Sequence, residues 1–104
     1  MQNKEILEAL EDAKAESQYS KYSFVVSNNQ ADKVIGDAKD TLEANNYIIK
    51  NVEIVFNTAQ IVVVRSNVYT STYGWESYDS ALMLSCIKRV YKEEELIFDG
   101  TTEE

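Results

Sequence analysis

The chain has 104 residues, with 18 acids against 10 bases, no histidine and one cysteine, for a net charge of −8. That length fits one domain and not two, and a 44% hydrophobic content is enough to fold around a core. The missing histidine removes the commonest general base and transition-metal ligand, together with every Ser-His and Cys-His nucleophile pair. With Cys86 alone there is neither an intramolecular disulfide nor a Cys-rich metal site.

Residues 3 to 18 read as a helix capped by Asn3, with Ile6, Leu7, Leu10 and Ala13 at helical spacing and acids over much of the remaining surface. Its apolar stripe is narrow, which places it on the outside of the fold. Residues 22 to 27, Tyr-Ser-Phe-Val-Val-Ser, are β-branched and aromatic and read as a short strand. Ser27-Asn28-Asn29 then signals a second helix over 29 to 45, with Val34, Ile35, Ala38 and Leu42 on its apolar face and a stop at Asn45-Asn46.

Residues 47 to 56 and 60 to 70 read as strands. In the first, Ile49, Asn51, Glu53 and Val55 are expected on one face and Lys50, Val52, Ile54 and Phe56 on the other. Asn57-Thr58-Ala59-Gln60 has hairpin length, so the pair is expected to be antiparallel. In residues 79 to 94 the consecutive Leu82, Met83 and Leu84 break strand alternation. A third helix capped by Asp79 is expected there, with Cys86 on its apolar side as a small buried hydrophobe. A strand over 80 to 91 would instead make the chain a helix-decorated meander. Residues 95 to 98 read as a last short strand before an acidic tail over 99 to 104. The expected class is α+β: a small, mostly antiparallel sheet of about four strands with two or three helices, in the order α-β-α-β-β-α-β.

The segment 69 to 78 holds the only tryptophan and three of the seven tyrosines among small hydroxyl residues. Rigid aromatics beside Ser, Thr and Gly make a recognition-loop composition, and Trp and Tyr often dominate interface energies. Tyr69, Tyr73, Trp75, Glu76 and Tyr78 are therefore the candidate partner-binding residues. The competing reading has Trp75 and Tyr78 tucked under the sheet to anchor a long connection.

Glu93, Glu94, Glu95 and Asp99 form a candidate acidic surface. It is either a mimic of a phosphate line that enters a basic groove, or a solvated face that keeps the protein soluble. Asp37 and Asp40, with Asp32 nearby, share one side of the expected second helix, but no calcium-loop pattern surrounds them. Gly36, Gly74 and Gly100 are isolated, so no phosphate loop is present.

No catalytic residues, cofactor or metal are expected. Nucleic acid is a polyanion, and with only Arg65 and Arg89 as arginines and no basic run, direct binding to it or to an anionic membrane is disfavoured. The N-terminus lacks a signal-peptide core and the apolar run Ile61–Val64 is far short of a membrane span, so a reducing cytoplasm is the expected compartment. Two functions remain. One is a non-catalytic binding module, such as a small acidic inhibitor or adaptor on another protein. Its Asn- and Tyr-rich, proline-free composition would suit a phage or mobile element. The other is a structural subunit that assembles with copies of itself.

Overall fold

The computed structural model describes residues 2–16, 19–27, 39–43 and 46–100. They form α1 (Gln2–Glu16), β1 (Tyr22–Ser27), β2 (Lys39–Glu43), β3 (Asn46–Asn57), β4 (Ile61–Thr70), β5 (Gly74–Met83), β6 (Ile87–Lys92) and β7 (Glu95–Asp99). A 3-10 turn, Leu84–Cys86, joins β5 to β6. Every pairing is antiparallel. Six strands run in the order β5-β4-β3-β1-β6-β7, and β2 pairs with β3 outside that path. The expected small sheet of about four strands with two or three helices is thus corrected to a larger antiparallel sheet with one α-helix among the described residues.

Two expected helices account for the difference. Lys39–Glu43, the later part of the helix expected over 29 to 45, is strand β2, so Asp40 lies opposite Ile48 rather than on a helix face with Asp37. Asp32, Asp37 and the rest of that stretch apart from 39–43 fall outside the described residues. The helix expected over 79 to 94 is instead β5, the 3-10 turn and β6. Met83 is half exposed while Leu82 and Leu84 are buried, so the apolar run alternates after all. The 3-10 turn then resets the parity and lets Cys86 and Ile87 be buried in succession.

The hydrophobic core lies between α1 and one face of the sheet. Ile6, Leu10 and Ala13 of the helix are buried among Tyr22, Phe24 and Val26 of β1, Ile49, Val52 and Ile54 of β3, and Val62 and Val64 of β4. Leu82, Leu84, Ile87, Val90 and Phe98 complete it. Asn3 lies inside the first turn, since the helix begins at Gln2. Tyr22 Oη donates to the Ala13 carbonyl (3.2 Å), which ties the last helical turn to β1. Burial pushes the Tyr22 phenol above its ordinary pKa. Lys14 Nζ donates to Asn57 Oδ1 (3.2 Å), and Glu16 pairs with Lys92.

The faces of β3 do not follow simple alternation. Tyr22 lies opposite Val52 but Phe24 lies opposite Ile49, so β3 carries one extra residue there, and Asn51 sits within it at φ 61°. Asparagine tolerates that left-handed conformation better than most residues. The bulge brings Ile49 from one expected face and Val52 and Ile54 from the other onto the same core. A second irregularity between Ile54 and Phe56 turns Phe56 outward and Asn57 back toward α1.

Among the described residues, no helix is long and apolar enough to cross a membrane.

Candidate functional site

The β3–β4 turn is closed by Thr58, whose Oγ1 accepts from the Gln60 and Ile61 amides (both 3.1 Å) and whose amide donates to the Ile61 carbonyl (2.8 Å). From there β4 pairs with β3 only as far as Arg65, opposite Glu53. The N-terminal half of β3 pairs instead with β2, from Lys39↔Ile49 to Glu43↔Asn46. β5 follows β4 without a register break through ten pairs, from Ile61↔Met83 to Thr70↔Gly74. Beyond Arg65 and Asp79, therefore, the β4–β5 hairpin continues, among the described residues, as a two-stranded arm, roughly 17 Å long for five residues at strand rise.

The sequence segment expected as a loop is this arm. Only Ser71, Thr72 and Tyr73 form the turn, and Gly74 closes it at φ 76°, a conformation glycine adopts without a Cβ penalty. Thr70 Oγ1 accepts from the Tyr73 amide (3.0 Å) and donates to the Gly74 carbonyl (3.3 Å), bracing the turn from inside.

On the face away from α1, Tyr69 and Trp75 are cross-strand partners, edge to face with ring centroids 5.5 Å apart. Tyr69, Tyr73 and Trp75 are 63%, 76% and 72% exposed. Glu76 and Tyr78 take the opposite face and are half-buried. Tyr78 Oη donates to Glu76 Oε1 (3.0 Å), and the Thr70 hydroxyl lies 3.4 Å from Oε2. The hydrogen bond to Glu76, reinforced by its charge, raises the Tyr78 pKa. The structure thus gathers all five sequence-proposed binding residues on one arm, but on two faces, with the three exposed aromatics together. Trp75 is not tucked under the sheet.

Behind the tip, the outer face carries a polar rung and then a charged one. Ser77 Oγ donates to Asn67 Oδ1 (2.7 Å). Arg65 grips Asp79 through two bonds, Nε to Oδ1 (2.7 Å) and an Nη to Oδ2 (3.1 Å). The Arg65 bond holds the Asp79 carboxyl below its ordinary pKa, and the Arg65 guanidinium is pushed up in return. Glu53, opposite Arg65, pairs with Lys21 (2.7 Å), so charges alternate in sign along the row Lys21, Glu53, Arg65, Asp79. Sequence reasoning missed this row because its members lie on elements far apart in the chain.

The candidate acidic surface is divided. Glu93 and Glu94 form the tight β6–β7 turn, with Glu93 at φ 57°, and Glu95 opens β7. Asp99 ends that strand opposite Arg89, and the Gly100 amide donates to the Lys88 carbonyl (2.8 Å). Asp99, expected to open the acidic tail, is thus part of the sheet, and residues 101–104 of that expected tail fall outside the described ones. Cys86 is buried in the 3-10 turn rather than on a helix face.

Among the described residues, no group of three or more acidic or cysteine side chains is placed to hold a metal ion. A cleft of about 220 Å³ between α1 and β6–β7 has Asp12, Glu16, Lys92 and Glu95 in its lining, but Glu16 and Lys92 already pair with each other. The chain matches no family model, no curated protein and no solved structure.

Proposed function

We propose that this chain is a non-catalytic protein-binding module, an acidic inhibitor or adaptor of the cytoplasm, that engages its partner with the tip of the β4–β5 arm. The observation that carries the reading is the exposure of Tyr69, Tyr73 and Trp75 together at the end of a braced hairpin. The core closes without them: none of the three belongs to the buried cluster. An apolar group held in water at an outlying position contributes little to folding, and such patches on soluble proteins mark interaction sites. The arm is also ordered before any partner arrives. Its edge-to-face pair, the Thr70 brace and the unbroken ladder reduce the entropy lost on docking. The net charge of −8 favours a basic surface on the partner and speeds encounter with it.

The test is retention of a partner from native lysate by the tagged chain, compared with a Tyr73→Ala/Trp75→Ala variant whose fold is checked by circular dichroism. The expected result is a protein held by the parent and lost by the folded variant. Equal retention by both would sink the reading. The alternative, assembly with further copies, draws support from the unpaired side of β5 among the described residues. Light scattering across a hundredfold range of concentration separates the two, since a strict monomer excludes assembly.

A further inference from the structure

The two ends of the sheet are built differently. β7 has only five residues, carries a register break beside Tyr91, and has an acid at each end, Glu95 and Asp99. Short length, bulges and charge are the usual devices that stop a sheet edge from accepting another strand. β5 has none of the backbone devices. It is ten residues long, keeps its register with β4 throughout, contains no proline and no lysine, and pairs on one side only among the described residues. A long, regular, unblunted edge is the template that strand addition requires.

The side chains along that edge narrow the choice of strand. β5 carries two carboxylates, Glu76 and Asp79, and no base. Asp79 is matched by Arg65 on β4, whereas Glu76 accepts from the neutral Tyr78 hydroxyl and has no basic partner among the described residues. Trp75 presents an exposed ring one position away, and an indole face attracts a cation. A second β5 is a poor occupant. Because β5 carries no base, no register of a self-pairing supplies a counter-charge to Glu76, and the two molecules would each carry −8.

We propose that the outer edge of β5 from Trp75 to Leu82, unpaired among the described residues, is a strand-addition site for an extended, basic segment of another protein. This rests on the reading of the arm as the partner-binding element and names its partner's chemistry. The segment pairs with the β5 backbone over residues 75 to 82. One of its lysine or arginine side chains lies against Glu76, and a neighbouring one lies over Trp75 on the other face.

The test is a nuclear magnetic resonance titration of the full ¹⁵N-labelled chain with a nonapeptide of lysine pairs separated by valine and threonine, which places lysines on both faces of the added strand. Two controls accompany it: the same peptide with glutamate for lysine, and a version N-methylated at alternate residues, which loses backbone donors along one edge. The expected result is saturable shifts in the β5 amides with the lysine peptide, slowed hydrogen exchange there, and at least tenfold weaker effects with both controls. Glu76→Gln is expected to weaken the lysine peptide about threefold, the size of one exposed ion pair. Unmoved β5 amides, equal shifts with the glutamate peptide, or shifts confined to β7 would each overturn the proposal. The two readings fail separately. If β5 does not respond but the tip variant still loses its partner, the edge is wrong and the tip stands. If β5 responds while the tip variant keeps its partner, the tip is wrong and the edge stands.

Discussion

Deleting Asn51 should leave the protein folded, although it shortens a strand in the middle of the sheet. Asn51 is exposed and contributes no side chain to the core. It is the extra residue of β3 between the pairs Tyr22↔Val52 and Phe24↔Ile49. Without it Ile49 and Val52 stand two positions apart, the period of a regular strand, so Ile49, Val52 and Ile54 keep one face and no charge is drawn inside. The deletion loses the local twist that the bulge adds and relieves a non-glycine residue at positive φ, worth about 1 kcal/mol. Ile49→Ala, which removes a core side chain from the same strand, should by contrast cost about 2–5 kcal/mol. Asn51→Gly keeps the bulge and should leave the melting temperature within a few degrees of the parent. Asn51→Val keeps the residue count but forces a β-branched side chain to positive φ, at about 1–2 kcal/mol. Thermal melts followed by circular dichroism rank the series. A deletion variant that fails to fold, or melts further below the parent than Ile49→Ala does, with each kcal/mol worth roughly 4–8 °C, would refute the parity argument.

Trp75→Ala should cost little stability: with the side chain 72% exposed, its covered area of roughly 40–70 Å² is worth about 1–2 kcal/mol. Phe24→Ala, fully buried, should cost about 3–5 kcal/mol, and the gap between their melting temperatures checks the claim that the arm tip lies outside the core. Because Arg65 holds the Asp79 pKa below its ordinary 3.8, this pair stabilises the fold above that pH and the contribution is lost as pH falls through the lowered value. Asp79→Asn should therefore be less stable than the parent at pH 7 and converge with it in denaturant melts as pH falls below the lowered value, where the unfolded and folded carboxyls are both protonated. At the β6–β7 turn, where Glu93 has φ 57°, Glu93→Gly should exceed Glu93→Ala in stability by about 1 kcal/mol, because only the alanine keeps a Cβ in the left-handed region. Equal melting temperatures for those two variants would show that the turn relaxes without strain.

The parts of the fold legible in the sequence are those with a single unbroken period. The residues of α1 show the 3.6-residue repeat, Tyr22–Ser27 is dense in β-branched and aromatic side chains, and the β3–β4 connection has turn length. What the sequence hid are the interruptions. The bulge at Asn51 and the 3-10 turn at Leu84–Cys86 each change which parity faces inward, so a window spanning either shows no clean alternation. Read as one window, 79 to 94 mimics the broad apolar face of a helix. The aromatic segment was found by composition, but its exposure could not be, since a buried anchor and a displayed surface use the same residues.

The exposure has a cause in the topology. β3 is twelve residues long and has two partners on the same side, β4 along its C-terminal half and β2 along its N-terminal half. With β2 in place, the outer half of β4 has no room beside β3, although β5 follows it to Gly74. The outer hairpin is thereby excluded from the core while its own ladder keeps it ordered. Below the arm the inward-facing pairs are Val62 with Leu82 and Val64 with Ser80, and they give way outward to Ser66 with Tyr78 and then Val68 with Glu76. An extension meant only to finish the sheet would need no aromatic tip. Polar residues on the former core face, with Tyr69 and Trp75 on the open one, support the proposed reading of the tip as a docking surface.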